Sequence, residues 1–277
     1  MADIDTLCQG AGLGLRSAHL REVLRTKPAI PWFEVHVCNY MGGGLSRRLL
    51  EQVAQDYPLS FHGVSLNLGG TAPLDRDYLQ TLKAMVDQFK PGLISEHACF
   101  TQQAAVHFHD LLPVPFTDEA IRHMASRINQ VQDQLGRSIL VENLSRYYRY
   151  PDAGYSEAIF LRELCEETGC GLLLDLNNAY VNQQNLGETV HDFLADLPLE
   201  RVGEVHLAGF SEIEGRLIDT HASEVSTDVW QIYANVIQEH GAIPTLIEWD
   251  SQLPEFSVLN QQRLQAEAIL DAHAEVV

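Results

Sequence analysis

Short apolar runs that end on an ionisable or amide side chain recur along this chain, and stretches with helical spacing separate most of them. The runs are Gly12–Arg16, Trp32–His36, Leu59–Leu66, Leu93–His97, Ser138–Asn143, Gly171–Asp175, Val202–Leu207 and Thr245–Asp250. Continuous apolar cores of this length predict strands covered on both faces, as in a parallel sheet. Between them, Leu79, Leu82, Met85, Val86 and Phe89 have the helical period over Tyr78–Phe89. Thr117 caps a helix running to Gly136, Ser156–Thr168 is a helix ended by Gly169, and Thr227–His240 is one ended by Gly241. Further helices are expected from Leu20, over about Ser46–Gln55 and over about Val258–Ala274, whereas Ala98–Pro115 reads as a long loop. Eight strands alternating with helices predict an α/β fold, a single-domain (β/α)8 TIM barrel over residues 1–277, with an open doubly wound sheet as the alternative. Gly12 and Gly14 do not extend to a dinucleotide fingerprint, because Ser17 stands where a third glycine is needed.

In a barrel all strands open their C-terminal ends onto one face, which is where barrel enzymes carry their chemistry. Here those ends bear His36, His62, His97, Glu142, Asp175, His206 and Glu248. Carboxylates gathered on one rim repel one another and take up protons unless cations compensate them, and metal is the simplest compensation. The stretch Glu204–Gly209, followed by Leu217–His221, adds Asp219 and His221, which in an extended segment would point the same way. Imidazole and carboxylate donors with no required thiolate suit Fe, Mn, Zn or Co. His62, His97, Glu142, Asp175, His206, Asp219, His221 and Glu248 exceed what one ion needs, so two or three ions are expected, bridged by Glu142 or Asp175. His36, Asn143 and Asn178 are further candidates, as ligands or as groups that orient them, although asparagine at a strand end is also a common turn residue. His107, His109 and Asp110 either line an entrance or sit on a solvated loop. His19, His123, His191, His240 and His273 fall in helical stretches, where surface or packing roles are expected.

A formal charge of -20, from 18 Lys and Arg against 38 Asp and Glu, repels a phosphate backbone and argues against nucleic-acid binding. The five cysteines, Cys8, Cys38, Cys99, Cys165 and Cys170, form no CxxC pair and fit a reducing compartment, with Cys165 and Cys170 expected to pack in the core. No basic n-region opens the chain at Met1–Cys8 and no run is long enough to span a membrane, so a cytoplasmic location is expected.

Taken together, Gly12–Arg16, Trp32–His36, His62–Gly63, Ser95–His97, Asp110–Pro113, Val141–Asn143, Leu174–Asn178, Val205–Gly209, Ile218–His221 and Ile247–Asp250 resemble the DUF692 or UPF0276 proteins. These are multinuclear non-haem iron-dependent oxidative enzymes, and they include the methanobactin biosynthesis iron subunit. The resemblance implies a TIM barrel holding two or three iron ions (Fe2+/Fe3+), with Zn or Mn as the other metals to consider. It implies O2-dependent modification of cysteine in a ribosomally made precursor peptide, which a small partner protein presents. The same eight His, Asp and Glu residues correspond to ligands, with Asn143 and Asn178 less firmly matched. Gln184 and Leu186 around Asn185 replace histidines found in many relatives. His107–Asp110 departs from a Tyr-Leu-Asn-Asp pattern, and Ala98–Phe100 from a Leu-Ser-Trp pattern. Those departures bear on peptide specificity more than on the metal core.

Three functions follow from these residues. The first is iron-dependent oxidation of a peptide cysteine, with Arg16 or loop residues steering the peptide. The second is a divalent-metal sugar isomerase or phosphoesterase, since His, Asp and Glu ligands in barrels also serve such chemistry. The third is a non-catalytic metal-binding module.

Overall fold

A computed structural model of the chain describes residues 7–103 and 106–274; residues 1–6, which open the segment expected to lack a targeting signal, lie outside the described residues. In chain order the strands are β1 (Ala11–Gly14), β2 (Phe33–His36), β3 (Leu59–Gly63), β4 (Leu93–His97), β5 (Cys99–Gln103), β6 (Val106–Pro113), β7 (Leu140–Glu142), β8 (Gly171–Asp175), β9 (Val202–Leu207), β10 (Ser211–Ile213), β11 (Arg216–Ile218) and β12 (Thr245–Ile247). Eight of them close into a barrel in the order β1-β12-β9-β8-β7-β4-β3-β2, every neighbouring pair parallel. Pairing of Gly12 with Leu246 joins the first strand to the last and removes the open-sheet alternative.

Helices follow the strands and cover the barrel because their apolar stripes match the outward faces of the strands. The expected caps are in place: the Thr117 hydroxyl accepts from Ala120 N, Ser156 from Ile159 N and Ser226 from Val229 N. The second expected helix starts earlier than its pattern suggests, at Gly44, and ends at Val53. Two helices for which the pattern provides no expectation, Leu176–Leu186 and Val190–Asp196, fill the connection from β8 to β9. The first is rich in Asn and Gln and has no clean apolar period, so only its capping by Asp175 betrays it.

The apolar core has two parts. The larger lies between strands and helices and buries Leu13, Phe33, Val35, Phe61, Val141 and Leu174 among many others, each such side chain contributing roughly 1.5–3 kcal/mol. The smaller plugs the barrel floor with Cys8, Trp32, Leu93, Leu140, Leu173 and Leu246. Gly12 makes room for this plug, since a Cβ there would meet the Trp32 indole at 2.5 Å. Cys165 and Cys170 are buried, as their packing role requires.

Two loops are more ordered than their sequences suggest. Within Ala98–Pro115, β5 and β6 pair antiparallel, and Val106-His-Phe108-His alternates with the strand period. The connection after β9 carries a second hairpin, β10 with β11, whose two-residue turn places Glu214 (φ 51) and Gly215 (φ 77) in the left-handed region.

Candidate metal centre

Parallel register brings the strand ends level. Across β4 and β7, His97 pairs with Glu142, and across β8 and β9, Asp175 pairs with His206. Around the first pair, Glu142 Oε2 lies 3.1 Å from His97 Nε2 and 3.4 Å from His62 Nε2. The far nitrogen of each histidine is held: His97 Nδ1 lies 3.0 Å from the Gly63 carbonyl, and His62 Nδ1 2.7 Å from Ser95 Oγ. A carbonyl only accepts, so neutral His97 carries its proton on Nδ1 and turns the Nε2 lone pair toward Glu142. Glu142 Oε2 is buried and makes no hydrogen bond among the described residues, despite its two imidazole neighbours. Each of the three thus offers a donor atom within 4.8 Å of the other two.

Asp175 Oδ1 caps the helix Leu176–Leu186 by accepting from Asn178 N at 2.6 Å, while Oδ2 is buried without a partner among the described residues. Asn143 spans β7 and β8: its Nδ2 donates to the Asp175 carbonyl and its Oδ1 accepts from Asp175 N, both at 2.9 Å. It therefore fastens the strand ends, the orienting role that the sequence offers beside that of a ligand. Asn178 sits in the first helical turn rather than in a strand-end turn; its Nδ2 donates to the Asn143 carbonyl at 3.0 Å and its Oδ1 is buried and, among the described residues, unpartnered.

The connection after the β10–β11 hairpin brings in His221 from above. His221 is not in an extended segment, as its spacing with Asp219 suggests, but has φ 43. The turn nevertheless sets His221 Nε2 2.7 Å from Asp219 Oδ1 and Nδ1 3.3 Å from Glu248 Oε2 and 3.2 Å from Asp250 Oδ2. Neither ring nitrogen of His221 is aligned for a hydrogen bond with a described residue. Asp219 is itself occupied, accepting from Asn177 Nδ2 at 2.8 Å and Ser145 Oγ at 3.3 Å. Gly209 lets this connection seat, because a Cβ there would lie 2.5 Å from the Glu224 carbonyl oxygen. On the other side of Glu248, His36 Nε2 stands 3.1 Å from Oε1, and Arg16 Nη2 donates to the same oxygen at 2.8 Å. Arg16 is buried and also donates to Asp250, so it clamps two rim carboxylates and is not free to steer a peptide.

Five trios among the described residues place one donor atom from each member within 4.8 Å of the others: His36–His62–Glu248, His62–His97–Glu142, Glu34–Glu204–His206, Glu142–Asp175–His206 and Asp175–His221–Glu248. Each of these residues can hold a cation with its neighbours, and His62, Glu142, Asp175, His206 and Glu248 belong to two trios each. Asp219 reaches the rim through His221 and belongs to none of the trios.

Protons do the work of cations when the rim stands alone. Burial pushes the Glu142 carboxyl up to about 8 and that of Asp175 up to about 7, although His97 and His221 pull the other way. Burial opposes charge on His97, but Glu142 and Glu96 outweigh it and raise the imidazole to about 9. Burial and the neighbouring His97 hold His62 well below the usual imidazole range. Glu248 is kept well below the carboxylate range, against its burial, by His206 and His221.

The rim opens into a cavity of about 620 Å³, within the usual range for ligand sites. His107, His109 and Asp110 of the β5–β6 hairpin are solvent-exposed and lie at its edge, so they border the entrance while remaining hydrated. Three buried carboxylates next to the strand-end histidines are not singled out by the sequence pattern: Glu34, Glu96 and Glu204. Glu34 and Glu204 each stand two residues before a strand-end histidine and share its side of the strand, which is the signal that finds them. Glu96 points the other way and accepts from Ser65 N and Leu66 N.

Among solved structures, the chain is similar in fold to the 3-keto-D-glucoside 4-epimerase YcjR from E. coli, with a TM-score of 0.59 at 14% identity over 95% of this chain and 99% of that one. It is likewise similar to endonuclease IV from Thermus thermophilus, with a TM-score of 0.57 at 15% identity, covering 97% of this chain and 98% of that one. Identities this low show the barrel alone. Sequence similarity is much closer to UPF0276 proteins: 46% identity to one from Chromobacterium violaceum, over 96% of this chain and 97% of the relative, and 45% to one from Acaryochloris marina, over 97% of each. The sequence profile of the RiPP precursor modification enzymes MbnB/TglH/ChrH matches residues 10–271, so the chain belongs to that family, whose substrates are precursors of ribosomally made, modified peptides.

Proposed function

We propose that this RiPP modification enzyme binds two or three iron ions at the barrel rim and uses O2 to oxidise a cysteine of its precursor peptide. His62, His97 and Glu142 would hold one ion, and Asp175, His206, His221 and Glu248 the others, with Glu142 common to both regions. The observation that carries this reading is the misaligned crowding of buried donors: Glu142 Oε2, Asp175 Oδ2 and both nitrogens of His221 are buried, close to other ligand atoms and without hydrogen bonds to the described residues. Such atoms are costly to bury unless a cation completes them. Mixed imidazole and carboxylate donors fit iron, and zinc or manganese as well.

When bound, iron supplies a site that takes a thiolate and passes electrons to O2. The chain's own residues do the rest. Gly63 and Ser95 orient the two histidines, and Arg16 neutralises Glu248 and Asp250 so that the acidic rim remains compact. The β5–β6 hairpin forms a wall of the cavity, where a peptide segment presented by a small partner protein would lie.

The test is metal analysis of anaerobically purified protein, followed by the mass of a co-expressed cysteine-containing precursor peptide. Iron at two or more equivalents and a mass change that requires O2 support the proposal. Full occupancy by zinc alone, with no mass change in air, overturns it. The sugar-isomerase and phosphoesterase reading shares the same His, Asp and Glu donors, and no feature of the described rim favours it over peptide oxidation.

A further inference from the structure

Beneath the rim, the barrel interior is polar where a barrel of this kind is ordinarily filled by branched apolar side chains. Glu34 on β2 and Glu204 on β9 are fully buried there, above the apolar plug that contains Trp32. His206 Nε2 lies 3.2 Å from Glu34 Oε2 and 3.6 Å from Glu204 Oε1, while His206 Nδ1 lies 3.0 Å from Glu248 Oε2. Ser60 Oγ donates to the other Glu204 oxygen at 3.3 Å, and the remaining oxygens, Glu34 Oε1 and Glu204 Oε1, have no hydrogen-bond partner among the described residues.

We infer that Glu34, supported by Glu204, is a positioning residue that fixes His206 as an Nδ1 donor to the rim. The inference rests on the metal reading above. A neutral imidazole has one N–H and one lone pair. A lone pair on Nε2 would face two carboxylates in a site of low dielectric, whereas an N–H there donates to Glu34 and places its positive end near Glu204. The proton therefore belongs on Nε2 and the lone pair on Nδ1, beside Glu248. His62 and His97 are arranged the opposite way, their Nδ1 atoms held by Ser95 and Gly63 and their Nε2 atoms turned to Glu142. Of these three histidines, two thus present Nε2 and one presents Nδ1. Carboxylate–histidine–metal relays of this type typically affect metal affinity by about 10–100-fold.

Three measurements test this. Anomalous diffraction from iron-loaded wild-type crystals should show His206 coordinating through Nδ1. In Glu34→Leu, competition with a chelator for Fe2+ should show one ion bound roughly 10–100-fold more weakly, with the ion at His62, His97 and Glu142 retained. Electron spin-echo spectra of that variant should lose the remote-nitrogen signature of His206, and Glu34→Gln, whose amide oxygen still accepts from Nε2, should restore part of both. An ion bound by Nε2 together with Glu34 and Glu204, or Glu34→Leu with unchanged affinity and spectrum, overturns the inference. Failure of wild-type protein to take up any metal would instead overturn the metal reading on which it rests.

Discussion

Gly209→Ala probes how tightly the upper ligands depend on one missing side chain. The new Cβ would sit 2.5 Å from the Glu224 carbonyl oxygen and closer to the carbonyl and hydroxyl oxygens of Ser223, against ordinary contacts of 3.4 Å or more. Backbone carbonyls cannot swing aside like a side chain, so the segment must retreat by roughly 1 Å, at a cost of about 1–3 kcal/mol typical of overpacking. At roughly 2–4 °C for each kcal/mol in domains of about 150–250 residues, Tm should fall by roughly 2–12 °C. The retreat strains the bonds by which Asp250 N and Ser251 N donate to the His221 carbonyl, and so moves His221 off the rim. A misplacement of this size costs on the order of 10²-fold in rate where geometry is critical. Iron content by mass spectrometry, a thermal melt and the O2-dependent mass change of the peptide should show one ion lost or weakened, a lower Tm and slow turnover. Full iron content, normal turnover and a Tm within about 1 °C of wild type would contradict this account of Gly209.

His221→Ala should remove one ion and leave that at His62, His97 and Glu142, read by metal counting; loss of all metal would show that the positions are not separable. Glu142→Gln, by contrast, removes the negative charge and one oxygen of a side chain common to two trios, and should lower the count by more than one equivalent or abolish tight binding. For pH, Glu142 and His97 have folded values raised to about 8 and about 9. Groups raised in this way stabilise the folded state at low pH and lose that contribution as pH rises through the folded value, so metal-free protein should melt at lower temperature at pH 9 than at pH 7. Metal must displace the same protons, so Fe2+ or Zn2+ affinity should rise over that interval with proton release in calorimetry; a flat profile in both would contradict the assignment.

Much of the centre was legible because a strand buried on both faces has little reason to end in His, Asp or Glu. Seven such endings stood out against their apolar runs, and the structure brings His36, His62, His97, Glu142, Asp175, His206 and Glu248 to one rim. Glu34 and Glu204 were missed because a carboxylate inside an apolar run resembles an outward-facing residue until it is known which face is the barrel interior. Asn143 was legible only as a ligand or an orienting group, and its bonds to both backbone groups of Asp175 appear only once β7 and β8 lie side by side.

Local period and residue chemistry suffice for the alternation of strand and helix, most of the caps, and the set of side chains able to bind metal, and all of these are written along the chain. Which atoms face one another is a property of the closed barrel. Closure set β1 against β12, parallel register levelled His97 with Glu142 and Asp175 with His206, and a left-handed turn at His221 brought a candidate ligand that no strand carries. Spacing along a chain cannot encode these contacts, because they are fixed by the shear of the closed sheet and by which nitrogen or oxygen its buried neighbours leave free.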